Sequence, residues 1–250
     1  MSLLAVRNLS KSFGGVHAVN RVGFSVAAGE MLAMIGPNGA GKTTCFNLIN
    51  GQLQPDAGAV LFEDREIQGL APRERCRLGI GRTFQVAATF GSMTVRENVQ
   101  LAVLSNERKL NSFFSSFEQT SGKRAREILE QVGMDAQADR PCPELAYGDL
   151  KRVELAVALA ARPRLLLMDE PTAGMAQAER HGLMDLVRET SRRENLSVLF
   201  TEHDMDVVFA YADRVIVLAE GELIAQGTPA GVRADARVRS VYLGEEAFHA

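Results

Sequence analysis

Hydrophobic positions along this chain fall into two regimes. Up to about residue 85 they form short runs, at 3–9, 21–26, 31–35, 59–63 and 79–85, separated by turn formers such as Pro55, Asp56 and Gly58. Runs of that length between turn residues predict strands. From 94 to 132 the apolar spacing becomes helical, broken by a polar stretch at 105–116. A second helix is predicted near 149–161, followed by a near-continuous apolar strand at 165–168. Continuous rather than alternating apolarity suits a central parallel strand covered on both faces. A helix at about 177–193, a strand at 197–201, a short helix from Asp204 and a strand at 214–218 complete the pattern. The alternation of strands and helices in the second half predicts a doubly wound α/β core, with roughly 88–160 as a helical insertion.

The pattern also places the most informative motif. GPNGAGKTT, residues 36–44, directly follows the 31–35 run and opens a segment of good helical character at 42–49. A strand, a glycine loop and a helix in that order are the context of a phosphate-binding P-loop. Gly36, Gly39 and Gly41 permit backbone conformations that let successive N–H groups surround an anion, and the helix start adds free amides and a positive dipole end. Pro37, Asn38, Ala40 and Thr44 complete the loop. Lys42 is placed to contact the β- and γ-phosphates, and the Thr43 hydroxyl to ligate Mg²⁺. A chance match in a chain of this length is on the order of one per cent from average glycine usage, before strand and helix are required. The motif predicts nucleoside triphosphate binding.

Composition narrows the setting. At 250 residues and 46% hydrophobic, the chain is large enough for a sizeable core. Its 28 basic and 31 acidic residues give a net charge of −3 with scattered basic side chains, so no footprint for nucleic acid is present. Cys45, Cys76 and Cys142 are odd in number and without metal-ligand spacing, which points to a reducing compartment. No signal peptide is read at the N-terminus and no apolar run approaches the ~18 residues of a membrane span. The expected setting is cytoplasmic, with any membrane role exercised through a partner.

A second cluster of chemistry lies in RLLLMDEPT, residues 164–172, which puts two carboxylates at the C-terminal end of a buried strand. Asp169 is placed to hold Mg²⁺, directly or through water, and Glu170 to accept a proton from the water attacking the γ-phosphate. Alone, an acidic pair at a strand end reads equally well as a turn or helix cap. Beside a P-loop it gains weight.

GPNGAGKTT, TFQ at 83–85, LAYGD at 145–149, LLLMDEPT and TEHD at 201–204 occur in that order, with 21 positions from Gly148 to Asp169 and 33 from Glu170 to His203. On these motifs the whole chain resembles the nucleotide-binding subunit of an ABC transporter. KSFGG, FNLINGQLQPDAG, GIGRTFQ, MTVRENV and VYLGEE are similar to the ATPases of branched-chain amino-acid importers. The resemblance implies one α/β nucleotide-binding domain over 1–250. Its parts would be a P-loop NTPase core with a mostly parallel sheet, an N-terminal antiparallel β subdomain, the helical insertion at about 88–160 and a C-terminal tail at about 228–250.

The resemblance also implies ATP and Mg²⁺ as cofactors and assigns further residues. Gln85 would sit at the γ-phosphate and Mg²⁺, and His203 would hydrogen-bond the γ-phosphate or the attacking water. Phe13, 23 positions before Gly36, would stack on adenine, with Val19 lining the same face. Core packing is the other reading for both. The signature segment Ala146, Tyr147, Gly148 and Asp149 would close the ATP of a second ABC ATPase, a paralogue or another copy, in a head-to-tail dimer. It departs from the usual LSGGQ: Ala146 replaces the serine, Tyr147 the first glycine and Asp149 the glutamine. Ala176 stands where an aspartate or asparagine is usual, which leaves the interface contact made there open. Two membrane permeases and an extracytoplasmic substrate-binding protein would be separate chains, with this chain peripheral on the inner membrane face. The cargo stays open on the ATPase alone. Lipopolysaccharide export, or import of urea, short amides or aromatic acids, fits the same motifs. A soluble ABC factor acting on ribosomes or DNA fits poorly, because such chains carry two nucleotide domains or a long coiled coil. Phe113, Phe114 and Phe117, and the basic cluster Lys123, Arg124 and Arg126, have no assigned role, the first reading as a loop anchor and the second as a solvated helix face.

Overall fold

A computed structural model of the protein describes residues 2–83, 90–106 and 116–241, with backbone alone for 116–120. The first strands, β1 (Ser2–Phe13) and β2 (Val16–Ala27), pair antiparallel across a turn at Gly14 and Gly15. They are longer than the runs at 3–9 and 21–26 because the hairpin continues past the core into half-buried and exposed residues. β4 (Ala57–Phe62) pairs with β1, and β5 (Arg65–Glu66) closes the edge, giving an antiparallel sheet of order β2-β1-β4-β5.

The second sheet contains β3 (Met31–Ile35), β6 (Ile80–Arg82), β7 (Leu165–Asp169), β8 (Ser197–Thr201), β9 (Arg214–Ala219) and β10 (Glu222–Gly227), in the order β10-β9-β3-β8-β7-β6. All pairings are parallel except β9 with β10. The four central strands are buried on both faces, and alternation along each strand divides its side chains between two cores. Ala33, Leu166, Met168, Phe200 and Val217 face the core shared with the later helices. Leu32, Met34, Leu165, Leu167, Leu199 and Ile216 face the core shared with the antiparallel sheet. Truncating one of these, such as Leu167→Ala, costs about 2–5 kcal/mol.

α1 (Lys42–Asn50) leaves β3 through the glycine loop and ends at Gly51 in the left-handed region (φ 85°). Its last carbonyls are held by Arg75 of α2 (Pro72–Leu78), a helix the apolar pattern does not predict. Arg75 is fully buried and donates to Leu48 and Ile49 carbonyls at 2.7 Å and to those of Gln68 and Leu70 at 3.0 Å. A guanidinium at the negative end of a helix dipole, with carbonyls on its N–H groups, offsets its desolvation without a carboxylate. The insertion packs α3 (Val95–Asn106), α4 (Ser116–Gln131) and α5 (Tyr147–Ala160) together through Val95, Val99, Ile128, Leu129 and Val153. α6 (Gln177–Glu194) and α7 (Met205–Tyr211) return the chain to the sheet, and α8 (Pro229–Ala234) and α9 (Ala236–Val241) follow β10. Asp204 caps α7 by accepting from the Asp206 and Val207 amides.

Candidate active site

The loop at 36–41 is shaped by what surrounds it. A Cβ on Gly36 (φ 155°) would lie 2.2 Å from the Leu218 carbonyl oxygen, and one on Gly41 (φ 100°) 2.3 Å from that of Ala18. No side chain fits either place, so the end of β9 and the start of β2 dictate glycine there. Ala40 donates its N–H to the Pro37 carbonyl and accepts from Gly221 N–H at 3.2 Å, fastening the loop to the β9–β10 turn. Gly41 caps α1 without a side-chain acceptor, and no acidic residue occupies the first turn. The amides at that helix start suit an anion. Lys42 is buried, its Nζ donating to the carbonyls of Gly36 at 2.5 Å and Pro37 at 3.1 Å, so the ammonium is held within the loop. Thr43 is exposed and Thr44 half-buried.

Phe13 is 47% exposed at the tip of the β1–β2 hairpin, with Lys11 Nζ 5.7 Å from its ring centroid, and it offers an aromatic surface for stacking. Val19 does not share that surface. It is fully buried in the core between the two sheets, because its register on β2 turns the side chain inward. A ligand cannot reach it, which corrects the sequence expectation.

Asp169 and Glu170 stand at the end of β7 as expected, and the neighbouring strands supply their partners. Asp169 pairs in register with Thr201 of β8, whose hydroxyl donates to Asp169 Oδ1 at 2.7 Å. On the other oxygen, Arg82 Nη2 of β6 stands 3.4 Å from Oδ2. Glu170 adopts φ 50°, a left-handed conformation that costs a non-glycine residue on the order of 1 kcal/mol, and its N–H donates to the Thr201 carbonyl and hydroxyl. That turn directs the carboxylate to His203, whose Nε2 is 2.8 Å from Glu170 Oε1. With its proton on Nε2, the ring donates to the carboxylate.

Glu202 was within a motif but carried no assigned role. It is buried, and its Oε1 accepts from the Thr172 hydroxyl at 2.7 Å and amide at 2.9 Å, pinning the chain just after the carboxylate pair. Burial pushes its carboxyl above the usual range, and the Thr172 hydrogen bonds oppose that only in part. Nothing but its place beside His203 in TEHD pointed to it.

The signature segment opens α5, with Ala146 at the N-cap. Beyond α5 itself, contacts of Tyr147 and Gly148 run to residues 173–179 of its own chain. Tyr147 is half-exposed and donates its hydroxyl to the Ala173 carbonyl at 3.2 Å, its ring lies against Gly174, and Lys151 Nζ sits 5.4 Å from the ring centroid. Lys151 also forms a buried pair with Glu154 at 3.0 Å. Gly148 is buried facing the Glu179 carboxylate, 3.2 Å from where a Cβ would stand. Asp149 falls in the first turn of α5. Ala176 caps α6 without a side-chain acceptor, and Glu179 reaches back to its amide at 3.3 Å. Gln85, Phe113 and Phe114 lie outside the described residues, as does the side chain of Phe117. Arg124 pairs with Glu127 at 3.4 Å. Lys123 and Arg126 line a cleft of about 740 Å³ between α3 and α4 that none of the candidate phosphate-site residues lines.

Were a metal to bind, the Thr43 hydroxyl and the Asp169 carboxylate would be its donors, both hard oxygens suited to Mg²⁺, an ion that keeps several waters and takes few protein ligands. Among the described residues no group of three or more His, Cys, Asp or Glu could form an all-protein cage. No helix among them is long and apolar enough to cross a membrane.

The sequence profile of the ABC transporter family matches residues 19–173, and that of the branched-chain amino acid ATP-binding cassette transporter matches residues 222–247. The high-affinity branched-chain amino acid transport ATP-binding protein LivG of Escherichia coli is 38% identical over 97% of this chain and 98% of its own length. BraF of Pseudomonas aeruginosa, described in the same words, is 38% identical over the same shares. Among solved structures, a nucleotide-free ATP-binding cassette from an ABC transporter superposes with a TM-score of 0.87 at 34% identity, covering 98% of this chain and 100% of that one. A dimeric bacterial ABC transporter cassette superposes with a TM-score of 0.78 at 26% identity, covering 90% of this chain and 98% of that one.

Proposed function

This chain belongs to the ABC transporter family as an ATP-binding cassette ATPase, and from that premise we propose that it powers import of branched-chain amino acids through separate membrane permeases. The observation that carries the cargo is the joint match: full-length similarity to LivG and BraF, together with the branched-chain profile on the tail from residue 222. The chain acts at the inner face of the membrane, bound to two permeases, while an extracytoplasmic protein captures the amino acid.

The chemistry is attack of water on the γ-phosphate of ATP. The loop amides and Lys42 bind the β- and γ-phosphates and stabilise charge that builds on them, and Phe13 stacks on the adenine. Thr43 and Asp169 hold Mg²⁺, with Gln85 as a further ligand; the ion, when bound, neutralises phosphate charge. Glu170 accepts the proton of the attacking water at its carboxylate, oriented by His203, which is 2.8 Å away. The corresponding site is completed in trans by the signature segment of a second ATPase, a paralogue or another copy. Here the hydroxyl normally offered by a serine is absent at Ala146, so backbone amides at the start of α5 carry that contact.

Uptake of radiolabelled leucine tests the reading in a strain lacking this subunit. Uptake should be lost, restored by the wild-type chain and not by Glu170→Gln, while amino-acid binding outside the membrane survives. Undiminished uptake of leucine, isoleucine and valine in the deletion strain would refute the cargo.

A further inference from the structure

We propose that Arg82 is the positioning residue that sets the separation of the two protein groups meant for Mg²⁺, Thr43 and Asp169, an inference that rests on the metal reading above. Arg82 ends β6, and its side chain is nine-tenths buried. Its Nη1 donates to Asn47 Oδ1 at 2.7 Å and to Gln52 Oε1 at 2.9 Å, while Nη2 faces Asp169 Oδ2 at 3.4 Å. Asn47 lies four residues after Thr43 on α1, which puts both on one helix face a turn apart. One planar guanidinium therefore touches the helix that carries the Thr43 hydroxyl and the strand end that carries the Asp169 carboxylate.

Two further observations support a positioning role over simple charge balance. Arg82 Nε is buried without a hydrogen-bond partner among the described residues, so the side chain's place is set by its two terminal nitrogens and what they hold. The backbone is fixed too: Arg82 pairs in register with Leu167, and Thr83 N–H donates to the Leu167 carbonyl at 3.0 Å, two residues before Asp169. With Thr201 on Oδ1 and Arg82 on Oδ2, both Asp169 oxygens are held from opposite strands. A rigid fork holds two partners at a set spacing where a single ammonium holds one.

The test is the gain in affinity for a fluorescent ATP analogue that Mg²⁺ confers on the full chain, measured in Mg²⁺ and in EDTA. Arg82→Lys keeps the charge but loses the fork. It should leave affinity in EDTA within about twofold of wild type and weaken affinity in Mg²⁺ about tenfold, the loss of one charge-assisted hydrogen bond. Asn47→Ala, which removes the helix anchor alone, should shift the Mg²⁺ value in the same direction by about threefold. Equal losses in Mg²⁺ and EDTA, or no loss in either, would overturn the role of Arg82 while leaving the metal site intact. A wild-type chain whose affinity is indifferent to Mg²⁺ would remove the metal reading itself, and the proposal with it.

Discussion

The two ends of the phosphate site are built in opposite ways. The P-loop end comes from nine consecutive residues, 36–44, and is made mostly of backbone, crowded by the carbonyls of Ala18 and Leu218 and fastened by the Gly221 amide. The water end is made of side chains from three strand ends and the turns after them: Arg82 ending β6, Asp169 ending β7 with Glu170 after it, and Thr201 ending β8 with His203 two residues on. The difference teaches how binding and turnover are divided. On the proposed reading, loop backbone and the Lys42 side chain bind phosphate, and the loop's path depends on glycine at 36 and 41. On the same reading, turnover would rest on individual side chains, so a substitution there should remove it without loss of binding.

The largest expected effect breaks the backbone end. Gly41→Ala must place a methyl 2.3 Å from the Ala18 carbonyl at φ 100°, so the loop has to move. Affinity for ATP should fall about a hundredfold, corresponding to roughly 3 kcal/mol of strain and lost amide contacts. Nucleotide titration alongside thermal melting checks it; affinity within twofold of wild type in a folded variant would mean the loop does not need that backbone path.

A smaller effect sharpens the contrast from the signature side. Tyr147→Phe keeps the ring and its Lys151 contact but loses the hydrogen bond to Ala173. One such bond is worth about 0.5–1.5 kcal/mol, so turnover of the assembled ATPase should drop about three- to tenfold while nucleotide affinity of the separate chain stays the same. An equal drop in affinity would place Tyr147 at its own chain's nucleotide instead.

The smallest effect is on stability. The Glu202 carboxyl is raised above its ordinary 4.5 by burial. The folded state therefore binds more protons than the unfolded state just above that value. Stability from this group is fully present below the ordinary value and is lost as pH rises through the raised one. Glu202→Gln has no such slope, so urea melts should show the variant gaining on wild type with rising pH. A gain that grows toward acid pH would reverse the assignment. Glu154, raised for the same reason, is unchanged in both proteins and cancels in the comparison.

Most of the fold was legible because its signals are local. The strand, glycine loop and helix at 31–50, the apolar strand ending in Asp169 and Glu170, and the strand before His203 each lie in one stretch of sequence. Most of the break expected at 105–116 lies outside the described residues. α2 and β10 were missed because each is short, at 7 and 6 residues, and only partly buried, so neither leaves a full period of apolar positions. Val19 was misplaced because a strand's inward and outward faces depend on register, which pairing with β1 fixes and local sequence does not. The contacts of Arg82 with Asp169, Tyr147 with Ala173 and Glu202 with Thr172 join residues 87, 26 and 30 positions apart, and no spacing rule reads them.

The most direct test of the divided site is Glu170→Gln, with ATP affinity and steady-state hydrolysis measured on the same preparation of the assembled transporter. The amide keeps the size of the side chain but cannot take up the proton of the attacking water. Affinity should stay within about threefold of wild type while turnover falls at least a hundredfold, the scale of a lost general base. Near-normal hydrolysis, or a loss of affinity as large as the loss of turnover, would contradict the account.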